Sequence, residues 1–309
     1  MKLIAVSRPM RDLLQQARRY ASVDATVLIT GETGVGKDAL ARFLHASGPR
    51  KRDPFITVDC PALPETLVEA ELFGHERGAF TDATIARPGR FELAGHGTLY
   101  LDAVTRLSQA GQGALLRVVE ERRVTRLGGT TGTDVRARII ASSDTDVEDA
   151  VRDGSLRADL FHRLSVLPVH LPPLRERPDD ILPLARRFLS DASEPLKREP
   201  PRVSADAADA LVRYHWPGNV RELRHVLERV LLTGVGADIR ADSLPIEVLE
   251  GQEAYLAPGG AARPTLEDVE RRYIELTLTY ARGNQTKAAA ILGISRKALW
   301  EKRKRFGLR

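Results

Sequence analysis

"VLITGETGVGKDALARFLHASG", residues 27–48, decides the fold. A short β-branched run stops at glycines, and a stretch closed by Gly48 follows, so the segment reads strand, loop, helix. Gly31, Gly34 and Gly36 let the loop curl until its backbone N–H groups face one point. Lys37 adds a cation there, and the helix start adds the positive end of its dipole. Donors, charge and dipole all favour phosphate, so residues 31–38 read as a P-loop. The general pattern closes on Ser or Thr, whose hydroxyl meets a metal ion; Asp38 stands at that position. The competing reading is a Gly-rich turn with a chance lysine, and it accounts for neither flanking element.

Similar runs recur downstream. "PFITVDC" (54–60), "GTLYLDAV" (97–104) and "VRARIIASS" (135–143) read as strands, and "QGALLRVVEERR" (112–123) as a helix. Strands alternating with helices predict an α/β domain around a mostly parallel sheet. Asp102 ends one apolar run, where such sheets bind ligands, and is expected to hold Mg²⁺ through water. Many nucleotide hydrolases place a second acid next to it to handle water; Ala103 stands there instead. After "LPPLRERPDD" (171–180) the strand signals fade into helical segments such as "DILPLARRFLSDA" and "NVRELRHVLERVLL". The expected organisation is an α/β subdomain over 1–175, a helical subdomain over 176–250, a Gly/Pro/Ala-rich linker over 251–264, and a basic segment over 265–309. No internal repeat is visible.

The 309-residue chain suffices for two or three domains. It contains no run of eighteen apolar residues, its start lacks the apolar stretch of a signal peptide, and lone Cys60 makes no internal disulfide. These features predict a cytoplasmic protein with no membrane partner. The net charge of +5 is uneven: residues 281–309 carry nine Lys/Arg against Glu301 alone. That basic end suggests nucleic acid. "NQTKAAAILGISRKALWEKRKRFGL" (284–308) fits a helix-turn-helix with a first helix over 285–292, a turn at Gly293 and Ser295 as cap of a recognition helix. Ala288, Ala289, Leu292, Ile294, Leu299 and Phe306 form its inner face, with Arg303 lying along the core edge. Double-stranded DNA is the expected partner. Ser295, Arg296, Lys297 and Trp300 lie where base edges are met, and Lys302, Lys304 and Arg305 where phosphates are met; Gln285 and Thr286 open the first helix.

Five motifs then carry a resemblance: "LITGETGVGKD" (28–38), "AELFGHERGAFTDA" (70–83), "GTLYLDAV", "LRADLFHRLSVLPVHLPPLRER" (156–177) and "WPGNVRELRHVLERV" (216–230). In this order they resemble the AAA+ domain of bacterial enhancer-binding proteins, the activators of sigma-54 RNA polymerase, over about residues 3–248. The last forty residues resemble that family's Fis-type helix-turn-helix. The resemblance implies ATP with Mg²⁺, held by Gly31, Glu32, Thr33, Gly34, Val35, Gly36, Lys37, Asp38, Ala39 and Asp102, with Arg221 as the sensor II arginine of a helical lid. It makes "LIAV" (3–6) the adenine-contacting segment. It implies a homo-oligomer, dimer to hexamer, in which Arg157 and Arg163 reach the neighbour's ATP as arginine fingers. Gly78, Ala79, Phe80, Thr81, Asp82 and Ala83 match the GAFTGA loop that pushes on sigma-54. No sensory domain is read ahead of the AAA+ unit, so control is expected from a partner, from expression or from a domain outside this chain.

The chain departs from the family at several positions. Ala103 replaces the Glu that polarises the attacking water, and a general base is worth about 10²–10⁴-fold in rate. Asp59 replaces the Asn that restrains that Glu; the change either follows from the loss of the Glu or supplies the missing carboxylate. Asp144 stands where the sensor I Asn is common. Asp82 replaces the second glycine of GAFTGA, and Ala5 and His96 replace further family glycines. Three readings remain. The first is a DNA-bound regulator that binds ATP and hydrolyses it weakly or not at all. The second is a fully active ATPase that remodels sigma-54 holoenzyme. The third is a DNA-binding scaffold that acts independently of sigma-54.

Overall fold

The structure is a computed structural model that describes residues 3–80, 83–233, 236–250 and 284–307, together with residues 267, 270, 271, 273, 274, 277 and 278. The chain divides into two compact units, Met1–Leu244 and Pro245–Arg309. Thr81 and Asp82 of the GAFTGA-like loop lie outside the described residues, as does the 251–264 linker.

The first unit opens with α1 (Arg8–Ala21), which Ser7 caps by accepting from the Met10 N–H. β1 (Val27–Thr30), the phosphate loop and α2 (Lys37–Ser47) follow as the sequence predicts. Then come β2 (Phe55–Asp59), α3 (Val68–Phe73), β3 (Gly74–His75), β4 (Arg87–Pro88), α4 (Arg90–Ala94), β5 (Thr98–Asp102), α5 (Gln109–Glu121), β6 (Arg123–Thr125), β7 (Gly132–Asp134), β8 (Arg138–Ser143), α6 (Val147–Arg152), α7 (Ala158–Leu164) and β9 (Leu167–His170). The main sheet is parallel throughout, with order β2-β5-β8-β1-β9. β3–β4 and β6–β7 are antiparallel pairs standing apart from it.

The central strands are apolar on both faces because helices cover both. Leu28, Leu99, Leu101, Ile139 and Ala141 pack with α3, α5 and α7 on one side. Val27, Ile29, Tyr100 and Ile140 pack with α1 and α2 on the other. The period-2 alternation of a strand divides each run between two cores. β8 lies between β1 and β5, so the ends of these three strands sit side by side. β9 is a strand that the sequence does not announce. It carries Pro168, and its place at the sheet edge tolerates a residue with no N–H to donate.

The helical subdomain comprises α8 (Ile181–Ser193), α9 (Ala205–Arg213) and α10 (Asn219–Leu232), with a two-residue parallel pairing of 202–203 with 238–239. Trp216 is fully buried at its centre, and its indole N–H donates to the Leu211 carbonyl at 2.8 Å.

In the second unit the helices Gln285–Ile291 and Arg296–Phe306 flank a turn at Gly293, whose φ is +65°. Ser295 caps the second helix by accepting from the Ala298 N–H at 3.1 Å. Ala288, Ala289 and Leu299 are buried with Ile274 and Leu278, and Leu292, Ile294 and Phe306 pack around them, the inner face read from the sequence. Among the described residues no helix is long and apolar enough to cross a membrane.

Candidate functional site

The phosphate loop sits at the C-terminal end of β1 and leads into α2, whose first residue is Lys37. Lys37 is buried, and its ammonium donates to the Gly31 carbonyl at 2.7 Å and the Glu32 carbonyl at 3.0 Å. Burial lowers its pKa, the charges of Asp144 and Asp102 oppose that shift, and the charge of Arg221 adds to it. Two cations, Lys37 and Arg221, therefore act on one site. Gly34 is fixed by packing. Its φ is +81°, and a Cβ there would meet the Gly218 carbonyl oxygen at 2.3 Å. The Arg221 N–H donates to the Gly34 carbonyl at 3.2 Å, so the start of α10 rests on the loop. Asp38 pairs with Arg42 one turn along α2, at 3.0 Å.

Asp102 ends β5. Its Oδ1 accepts from the Tyr100 hydroxyl at 2.9 Å and the Ser142 hydroxyl at 2.5 Å. Burial, and then the charge of Asp102, push the Tyr100 hydroxyl above its ordinary range, so it remains a donor. Ser142 Oγ in turn accepts from the Ala103 N–H at 3.0 Å. Ala103 is buried and left-handed, with φ +54°. Asp59 lies opposite Asp102 in the β2–β5 register, exposed at the outer strand. Next to it Cys60 is buried, and burial pushes its thiol up to about 12, so it remains protonated. Asp144 follows β8. Its Oδ2 accepts from the Thr33 hydroxyl of the phosphate loop at 3.4 Å and from Arg106 at 3.5 Å, while its buried Oδ1 has no partner.

One cluster has no sequence signal. Arg175 donates twice to Glu32, at 2.5 and 2.9 Å. Asn219 is fully buried at φ +53°; its Nδ2 donates to Glu32 Oε2 at 3.0 Å and the Thr33 carbonyl at 3.1 Å, and its Oδ1 accepts from the Leu174 N–H at 2.8 Å. Arg177, also buried, donates to the Val35 carbonyl at 2.7 Å. These contacts bind the helical subdomain and its entry segment to the phosphate loop.

The other expected site residues lie on separate surfaces. Gly78 N–H donates to the Ala83 carbonyl at 2.8 Å, closing the loop that holds Ala79 and Phe80, and the Phe80 ring meets His75 edge-on at 4.9 Å. Arg126, between β6 and β7, bridges Glu76 and Glu92 at the base of that loop. Arg157 occupies the N-cap position of α7 and pairs with Asp159 at 2.8 Å; Arg163, in the last turn of the same helix, pairs with Glu120 at 2.9 Å. Among the described residues, no hydrogen bond joins either arginine to the phosphate loop.

In the second unit Trp300 is 56% exposed, with the Lys304 ammonium 5.5 Å above its ring. Arg296 and Lys297 open the second helix on an exposed turn, and Gln285 and Thr286 open the first. Two residues expected at phosphates are engaged within the unit: Lys302 with Glu270, and Arg305 with Glu267 at 2.6 Å. Arg303 is half-buried, as a residue along the core edge should be.

A parallel five-stranded sheet with a phosphate loop, an acid ending the strand next but one to it and a helical lid on the loop defines an AAA+ P-loop fold. Comparison with known proteins places it further. Residues 3–170 match the sigma-54 interaction domain, 175–258 the AAA+ ATPase lid domain, and 265–306 the Fis family of bacterial regulatory proteins. The chain belongs to the sigma-54-dependent transcriptional activators. It is 44% identical to the nitric oxide reductase transcription regulator NorR1 of Cupriavidus necator, over 99% of this chain and 64% of that protein. It is 41% identical to the transcriptional regulatory protein FlbD of Caulobacter vibrioides, over 96% of this chain and 68% of that one. NtrX from Brucella abortus, solved in complex with ADP, superposes with a TM-score of 0.75 at 33% identity, covering 99% of this chain and 70% of NtrX. The chain thus spans about two thirds of the length of these relatives.

Proposed function

We propose that this chain is a DNA-bound regulator of the sigma-54 activator type that binds ATP with Mg²⁺ and hydrolyses it weakly or not at all. The observation that supports this reading is a phosphate-loop geometry with a methyl group at the strand end that carries Asp102. Lys37 and Arg221 converge on the loop, Asp102 faces it from β5, and Ala103 offers no carboxylate. One relative, NtrX from Brucella abortus, solved with ADP and with ATP, supports nucleotide as the ligand. Among the described residues no cluster of three His, Cys, Asp or Glu could hold a metal alone. A lone strand-end carboxylate suits Mg²⁺, which is commonly bound by one or two carboxylates plus substrate phosphates and water. When bound, Mg²⁺ would neutralise phosphate charge. Lys37 would leave the Gly31 and Glu32 carbonyls for the terminal phosphates, and Arg221 would follow it from the lid. Arg157 and Arg163 would exchange their present carboxylates for the ATP of a neighbour in a ring. Gly78–Ala83 would present Phe80 to sigma-54, and the Fis-type unit would hold the protein on DNA in the cytoplasm.

The test is a nucleotide titration with Lys37→Ala alongside. The unmodified chain should bind ATP and the variant should not; equal affinities would remove the phosphate-loop assignment. Turnover measured at concentrations that permit ring formation separates weak from full hydrolysis.

A further inference from the structure

Loss of the acid at position 103 coincides with a new acid between the two halves of the nucleotide site. Asp144 directly follows the central strand β8, which is flanked by β1 and its phosphate loop on one side and by β5 with Asp102 on the other. We propose that Asp144 is the catalytic carboxylate of this site, the group that accepts the proton of the attacking water. The proposal rests on the ATP-binding reading above, in the form in which hydrolysis is weak but present.

Three observations carry it. The first is position: Asp144 Oδ2 is hydrogen-bonded to the Thr33 hydroxyl of the phosphate loop, which ties the side chain to the element that would cradle the phosphates. The second is an unspent acceptor. Asp144 Oδ1 is buried and has no hydrogen-bond partner, and a buried carboxylate oxygen left without a donor is unfavourable unless a ligand or water completes it. The third is electrostatic reach: of the acids acting on Lys37, Asp144 has the larger effect and Asp102 the smaller. Asp59, the other candidate, sits one strand beyond Asp102 at the sheet's exposed edge, and no hydrogen bond links it to the loop among the described residues.

In the step, the water oxygen forms a bond to the γ-phosphorus of ATP and the bond from that phosphorus to the β,γ-bridging oxygen breaks. One water proton passes to the Asp144 carboxylate, and ADP leaves with the electron pair of the broken bond. No redox partner is involved. Arg106 also donates to Oδ2, at 3.5 Å, and helps to aim the carboxylate.

The full-length chain is assayed for turnover and, separately, for ATP and ADP affinity by titration. Asp144→Asn should lower turnover about 10²-fold or more. It should also tighten ATP relative to ADP, because a negative charge beside the terminal phosphate is removed. ADP affinity should not change, which shows that the site is folded. Asp144→Glu should retain part of the turnover, and Asp191→Asn, on an exposed face of α8, should leave it intact. Undiminished turnover in Asp144→Asn with ATP still bound overturns the proposal. So does an unmodified chain that binds ATP without hydrolysing it, or a loss confined to Asp59→Asn. A chain that binds neither nucleotide overturns the phosphate-site reading itself, and this proposal with it.

Discussion

At position 103 the side chain ends in a methyl group on a left-handed backbone whose N–H is tied to Ser142. The strand end is buried, held by the Ser142 hydroxyl and next to Asp102. Putting Glu there restores a carboxylate at the end of β5, the strand beside the β8 end that Asp144 follows. Two carboxylates sharing one site disfavour each other's charged form. Ala103→Glu and Asp144→Asn should therefore be coupled. The double variant should turn over faster than Asp144→Asn alone by about 10²–10⁴-fold, whereas Ala103→Glu in the presence of Asp144 should gain far less. A cycle of the four proteins under identical ring-forming conditions measures the coupling; additive effects would show that the two positions do not share a water. The sequence shows Ala103 after Asp102, and Asp144 after an apolar run. It does not show that Asp144 touches Thr33, because that requires the order of strands in the sheet.

The clasp of Glu32, Arg175 and Asn219 acts between elements, joining the loop after β1 to the segment before α8 and the start of α10. The Arg175 hydrogen bond, opposed by burial and helped by Asn219, holds the Glu32 carboxyl below the usual carboxylate range. A carboxyl depressed by folding contributes stability above its unfolded pKa and loses it as pH falls through the folded value. Glu32→Gln should thus lower the melting temperature near neutral pH, and the gap should close below about pH 4. The pair is partly exposed, so the loss should be modest, about 1 kcal/mol or less. Asn219→Ala should cost more, about 1–3 kcal/mol, at every pH, because it leaves the Leu174 N–H and the Thr33 carbonyl unpaired. Melts of both variants at the two pH values separate the charged contact from the neutral one. This clasp was illegible in the sequence for a plain reason: its members are 143 and 187 residues from Glu32, and each sits in a motif read for something else. The strand–loop–helix units around β1, β2, β5 and β8 were legible because each declares itself within about ten residues. β9 was not, since "LPVH" is short and its proline argues against a strand until its edge position is known.

At the scale of the whole chain, charge and apolar pattern are divided between two units, and the basic one carries the expected DNA contacts. Its surface does not offer every cation equally. Lys302 and Arg305 are paired with Glu270 and Glu267, while Arg296 and Lys297 stand exposed at the start of the recognition helix. The N-terminal residues of such a helix face base edges, and residues farther along meet the backbone. Arg296→Ala in the full-length protein should therefore relax sequence preference, by about 1–3 kcal/mol at one base position. Lys304, two turns later and stacked over Trp300, should act differently. Lys304→Ala should weaken binding to all duplexes alike and reduce the dependence of log affinity on log salt by about one unit, since each neutralised phosphate releases its counterions. One recognition helix covers few base pairs, so specific binding should need two half-sites about one helical turn apart. Titrations of a two-site duplex, a single-site duplex and a scrambled duplex over a salt series distinguish these effects. If Arg296→Ala and Lys304→Ala lowered affinity for all three by the same factor, Arg296 would be a backbone contact, and the helix would enter the groove in another orientation.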